Sequence, residues 1–70
     1  MEFRQWVDEA GGIDEAAALL KEKPRTVYSW YRLEKTPRLE AALNIVIRSR
    51  HRVDFNGIYG PLAKARIEPK

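Results

Sequence analysis

Chain breakers recur through this sequence at short intervals: Gly11-Gly12, Pro24, Pro37 and Gly60-Pro61. Glycine leaves the helical region freely, and proline lacks a backbone donor and pushes the residue before it out of the α conformation. Every uninterrupted segment is therefore short, and the fold has to be assembled from small elements packed on one another. With 70 residues and no cysteine, that packing has no disulfide or thiolate metal site to support it. Roughly 50 residues or more are needed to close a core. The chain is accordingly read as one domain over residues 1–65 with a frayed tail at 66–70, and a multidomain enzyme is not expected.

Between the breakers the apolar residues follow helical spacing. Phe3, Trp6, Val7 and Ala10 share one helix face, which Gly11-Gly12 ends. Ile13 precedes Asp14 as a staple precedes an N-cap, and a short helix from Glu15 to Lys21 turns Ala17 and Leu20 inward. Pro24 suits the first position of a third helix. Its inner stripe is Val27, Trp30 and Tyr31, and its outer face carries Arg25, Tyr28, Ser29 and Arg32. After Thr36-Pro37, the residues Leu39, Ala42, Leu43, Val46 and Ile47 form the most regular stripe of all, closing near Ser49.

Residues 53–62 admit two readings. Asn56-Gly57 is a hairpin signal flanked by Val53, Phe55, Ile58 and Tyr59, whereas Asp54 can cap a single helical turn that lowers Phe55 and Ile58 onto the core and ends at Gly60-Pro61. So short a hairpin is marginal by itself. The helical turn is preferred, which makes the fold all-α, a small bundle of four to five short helices.

Charge divides along the chain. Residues 1–15 hold five acids against Arg4 alone, a net −4, while residues 16–52 hold nine Lys or Arg against three acids, a net +6. The middle of the chain is thus far more basic than the overall +3, and such a segment can neutralise phosphates. The longest apolar run, Ala16 to Leu20, falls well short of the roughly 20 residues of a membrane span. No signal peptide is evident, so a soluble, cytoplasmic protein is expected, with no membrane partner.

The second and third helices carry the functional signal. Two short helices joined by about four residues, with small Ala17 inward on the first and Val27 and Trp30 inward on the second, outline a helix-turn-helix. A small residue at Ala17 lets the second helix cross close above it, which leaves the start of that helix outward, where it can enter a major groove.

The run Ile13-Asp14-Glu15-Ala16-Ala17-Ala18-Leu19-Leu20, then Pro24-Arg25-Thr26-Val27-Tyr28-Ser29-Trp30, then Thr36-Pro37, resembles the helix-turn-helix of lambdoid phage Cro repressors and related small prophage regulators. The resemblance covers roughly residues 13–47, with Ala17, Val27, Trp30 and Pro37 at the family's characteristic places. It departs from the family in the turn, where Lys21, Glu22 and Lys23 stand in place of the usual glycine. It implies a transcriptional regulator, a repressor working in a bacterial host cell on operator DNA, with no cofactor and no small-molecule substrate. Carried onto these residues, it implies base contacts from Arg25, Tyr28, Ser29 and Arg32. Lys23, Thr26, Lys35 and Arg38 lie at the rims of that face, where phosphates would pass and would set affinity and register.

One recognition helix spans only a few base pairs, so a homodimer, weak in solution and assembling on its operator, is expected. Phe55, Ile58, Tyr59 and Leu62, with the end of helix four, are the candidate dimer surface; alternatively these four residues close the underside of the monomer's core. A second hypothesis is a protein-interaction module in which Phe55 and Tyr59, with Tyr31, bind a partner protein. The cluster Arg48, Arg50, His51 and Arg52 can serve the dipole of the helix before it without any partner. Catalytic groups are few: Ser29 has no evident histidine-carboxylate partner, His51 is the only histidine, and Gly11-Gly12 lacks the spacing and lysine of a phosphate loop. Neither catalysis nor a metal site is expected.

Overall fold

The structure, a computed structural model, describes residues 1–67, and within them the chain forms five α-helices and no strand. These are α1 (Phe3–Ala10), α2 (Ile13–Leu20), α3 (Pro24–Tyr31), α4 (Leu39–Arg48) and α5 (Phe55–Ile67). Among the described residues no helix is long and apolar enough to cross a membrane.

α2 is the central element and packs on α1, α3 and α4. It can do so because Ala16 and Ala17, both buried, present almost no side chain to hold the neighbours apart. Around it close Val7, Leu20, Val27, Ala42, Ile45, Val53 and Ile58. A three-ring cluster joins α1 to α3: Phe3 lies 6.1 Å from Trp6 and meets Trp30 edge-on, with centroids 6.1 Å apart and planes at 69°. That geometry sets the positive edge of one ring against the negative face of the other.

Four helices end in the same device. Gly11, Lys21, Leu33 and Arg50 take left-handed φ values of 113°, 58°, 62° and 57°. In each case the next residue's N–H reaches back to the helix: Gly12 to the Val7 carbonyl at 2.9 Å, Glu22 to Ala17 at 2.9 Å, Glu34 to Ser29 at 2.9 Å and His51 to Val46 at 2.8 Å. This reversal satisfies carbonyls that would otherwise lack partners. Only the first uses glycine; a side chain in the left-handed region costs about 1–2 kcal/mol, a cost accepted at Lys21, Leu33 and Arg50, and again at His51 beside it.

Three expectations about element boundaries need correction. α2 begins at Ile13, with Gly12 as its N-cap, because the Gly12 carbonyl already accepts the Ala16 N–H at 3.0 Å; Ile13 and Asp14 are the first helical residues and not staple and cap. Asp54 does cap a helix, accepting the Gly57 N–H at 2.8 Å, but α5 runs through Gly60-Pro61 to Ile67. Gly60 has no Cβ to clash with the proline ring, so the α region stays open to it, while Pro61 forfeits its own hydrogen bond and crowds the carbonyl one turn back. Arg66 and Ile67, assigned to a frayed tail, are the last turn of α5; the rest of that tail lies outside the described residues.

A fourth correction concerns which face of α4 is inside. Ala42 and Ile45 are buried and Val46 is half-buried, whereas Leu39, Leu43 and Ile47 are exposed. The rotation has a polar cause: Asn44 Nδ2 donates to the Leu20 carbonyl at 2.9 Å. That carbonyl is one of the unpaired acceptors at the end of α2, and reaching it turns the Asn44 side of α4 toward α2.

The α4–α5 connection is built on Ser49, a buried polar side chain. Its hydroxyl donates to the Val46 carbonyl at 3.1 Å and accepts the Val53 N–H at 3.1 Å, so the buried Val53 leaves no donor unpaired. Beyond it, Arg52 forms an ion pair with Glu9 of α1. Gly57 is pressed so close to α1's entry that an added Cβ would stand 2.1 Å from the Met1 carbonyl oxygen.

Trp30→Ala should cost about 3–5 kcal/mol, the usual loss for a large buried ring, measurable by urea denaturation; a change below about 1 kcal/mol, the range of surface substitutions, would contradict the packing of α3. Lys21→Gly should raise stability by about 1 kcal/mol by relieving the left-handed backbone, whereas Lys21→Ala should bring no gain in the same experiment.

Candidate nucleic-acid interface

α2 and α3 are joined by Lys21, Glu22 and Lys23, the chain reverses at the left-handed Lys21, and the two helices pack on each other. Val27 and Trp30 face inward, and this fixes what faces out. Arg25 is exposed, and Tyr28 keeps 47% of its surface. Thr26 and Ser29 are half-buried. The Ser29 hydroxyl donates to the Arg25 carbonyl one turn back at 3.2 Å, a bond a serine makes readily inside a helix and releases at little cost.

Arg32 follows the last helical residue, and its guanidinium is engaged within the chain. It donates to the Tyr28 hydroxyl at 3.1 Å and to Glu34 Oε2 at 3.2 Å, and it lies 5.5 Å from the Tyr28 ring centroid. The Tyr28 hydroxyl, aided by Glu34, raises the Arg32 pKa beyond its ordinary value. Arg32 therefore acts with Tyr28 as one unit, and any contact it makes outside the chain competes with Glu34.

The rim residues are in a different state. Lys23, Lys35 and Arg38 are exposed, and the described residues form ion pairs only at Arg32–Glu34 and Arg52–Glu9. Lys23 is the N-cap of α3 and Arg38 the N-cap of α4, and neither helix has a side-chain cap bond. Cations at a helix N-terminus oppose the dipole, while the uncapped N–H groups there attract anions. An anion placed there would relieve both features. Lys35 and Arg38 also line a cleft of about 540 Å³ with Lys21, Glu22, Thr36 and Glu40. Lys21, read from the sequence only as a turn residue, thus joins this basic rim. The last turn of α5 reaches the same place: Arg66 donates to Thr36 Oγ1 at 3.0 Å, a contact that no spacing in the sequence signals.

α3 is held from behind by Tyr31. Its hydroxyl donates to Asp8 Oδ1 at 2.9 Å, its carbonyl accepts from Arg4 Nε at 2.6 Å, and the Arg4 guanidinium lies 5.3 Å from its ring. The hydrogen bond to the Asp8 carboxylate, helped by partial burial, raises the Tyr31 pKa above its ordinary value.

The residues singled out as a dimer surface do not stay together. Ile58 and Leu62 are buried in the core, and Tyr59 is half-buried with its hydroxyl donating to the Pro37 carbonyl at 2.9 Å. Phe55 alone is exposed, its ring stacked on Tyr59 at 6.3 Å. In the aromatic docking patch of Phe55, Tyr59 and Tyr31, both tyrosines are half-buried and their hydroxyls are spent on contacts within the fold. Among the described residues no group of three or more His, Cys, Asp or Glu could hold a metal ion. Searches against protein-family models, curated proteins and solved structures found no match.

In a near-ultraviolet pH titration one tyrosine should ionise above the ordinary value of about 10, and Tyr31→Phe should remove that component. Because the folded-state value is the higher one, the stabilisation is complete below the ordinary value and is lost as pH rises through the raised one; Tyr31→Phe should flatten that alkaline loss.

Proposed function

We propose that the protein is a sequence-specific, double-stranded DNA-binding transcriptional regulator of the Cro type, with α2 and α3 as its helix-turn-helix and α3 as the recognition helix. The observation that carries this reading is the outer face of α3. Arg25 and Tyr28 are exposed on a helix whose opposite face is locked by Val27 and Trp30, and exposed cations flank it in the chain at Lys23, Lys35 and Arg38, none of them in an ion pair among the described residues. In this reading Arg25 bonds guanine O6 and N7 in a bidentate fashion, and Tyr28 with Arg32 contacts a thymine methyl or a neighbouring base. Ser29 exchanges its bond to the Arg25 carbonyl for a base edge. Lys23, Thr26, Lys35 and Arg38 grip phosphates and set register. The protein acts by occupying DNA and not by catalysis.

Two copies are part of the reading. Successive major grooves on one side of a duplex lie about 34 Å apart. One copy extends 33 Å along its longest direction and carries a single α3, so it cannot place that helix in both. A palindromic operator read by two copies resolves the mismatch.

The decisive experiment is selection of bound duplexes from a random library, which should return a palindromic consensus. On the selected duplex Arg25→Ala should lower affinity about 10-fold or more while leaving scrambled DNA little changed, the loss of one bidentate base contact. Lys35→Ala should weaken both duplexes alike and reduce the salt slope by about 0.9. No duplex enriched, or binding indifferent to salt, would overturn the reading.

A further inference from the structure

α4 leaves an apolar ridge in solvent. Leu39 is 64% exposed, Leu43 42% and Ile47 64%, and they stand at i, i+4 and i+8, one ridge winding slowly round the helix. Exposed aliphatic residues scattered singly need no explanation, but three in one row on a single helix form a contiguous patch. None of them supports the core, which α4 reaches through Ala42 and Ile45.

The charges beside the ridge indicate what covers it. One residue beyond Leu39 is Glu40 and one beyond Ile47 is Arg48, so both lie on the same flank, near opposite ends. Asn44, between them in the same row, bonds the Leu20 carbonyl, so this flank borders the cleft beside α2 that Glu40 also lines. Glu40 and Arg48 are exposed, and neither is paired among the described residues. We infer that this ridge is the contact between two copies of the chain, α4 against α4 in antiparallel sense, with a two-fold axis at Leu43.

In that register Leu39 of one copy meets Ile47 of the other, and Leu43 meets its own equivalent. Two-fold symmetry brings like flanks together, so Glu40 of each copy falls about 3 Å along the axis from Arg48 of the other, two residues at about 1.5 Å each. Two identical ion pairs close the ends of the apolar contact, and the opposed helix dipoles favour the antiparallel sense. Opposite charges on either side of an apolar centre are self-complementary to within that offset, the match a second copy supplies. The contact is also small. A ten-residue helix is about 15 Å long, and one face of it falls short of the roughly 800 Å² per partner of a stable complex. Association is therefore weak and is completed by a shared ligand. Here the inference rests on the proposed function, whose operator supplies two half-sites; the ridge and its charge pattern do not depend on it.

Sedimentation equilibrium of the full chain without DNA tests the contact. The wild type should associate with a Kd between about 10 µM and about 1 mM; a monomer throughout that range overturns the inference. Leu43→Glu should weaken association at least about 10-fold with an unchanged circular dichroism spectrum, and Ile47→Glu, at a more exposed position, repeats the test should Leu43→Glu loosen the fold. Unchanged association in both overturns it. Glu40→Arg and Arg48→Glu should each weaken association, and the doubly substituted chain should regain it; failure to regain overturns the antiparallel register. On duplexes carrying one selected half-site, Leu43→Glu and Ile47→Glu should bind as the wild type does, and on two half-sites they should lose cooperativity. A wild type that binds no duplex overturns the DNA reading and leaves the sedimentation result standing by itself.

Discussion

Phe3 and Trp30 meet edge to face across the α1–α3 boundary, and the orientation of α3 follows from that contact. A helix of eight residues has too few internal hydrogen bonds to hold itself in water. Its stability and its rotation about its own axis both come from the residues it buries, Val27 and Trp30. With the indole held inside, Arg25 and Tyr28 have to face out. Tyr31 adds a second anchor through Asp8 and Arg4, so α3 is fastened to α1 by its last two residues. α2 contributes mainly by being small where the helices cross.

The same economy governs the connections. Four helices end in left-handed reversals, and three of these occur at residues other than glycine. At Lys21 the reversal joins α2 to the connection before α3, so a strained residue sits within the proposed DNA-binding unit. Such strain persists where surrounding contacts determine the backbone more strongly than the local preference does. Here those contacts are the Glu22 bond to the Ala17 carbonyl and the Asn44 bond to Leu20, which together close the end of α2 from two sides.

Basic residues in this protein divide by what they touch. Arg4, Arg52 and Arg66 serve the fold, through Tyr31, Glu9 and Thr36 respectively. Arg32 is shared between Tyr28 and Glu34. Lys23, Arg25, Lys35 and Arg38 have no ion-pair partner among the described residues, and the proposed function uses these four together with Arg32. Net charge alone cannot make this separation, because a guanidinium engaged with a ring or a carbonyl counts the same as one left in solvent.

The number and type of the first four helices were legible in the sequence, as were the inward faces of α1, α2 and α3. On those helices the apolar residues occupy one stripe, and Gly11-Gly12, Pro24 and Pro37 mark the ends through local backbone sterics that need no tertiary partner. The outward placement of Arg25 and Tyr28 followed from the same periodicity. α4 was different: Leu39, Ala41, Ala42, Leu43, Ile45, Val46 and Ile47 cover most of its circumference, so more than one stripe can be drawn. Tertiary structure chose between them by a polar bond, Asn44 to the Leu20 carbonyl, which draws its two ends from different helices. The extent of α5 was likewise decided in three dimensions, where Ile58 and Leu62 gain burial on both sides of Pro61 and that gain outweighs one missing hydrogen bond. Local sterics are written residue by residue; the choice among equally apolar faces depends on neighbours distant in the chain, and only packing brings those together.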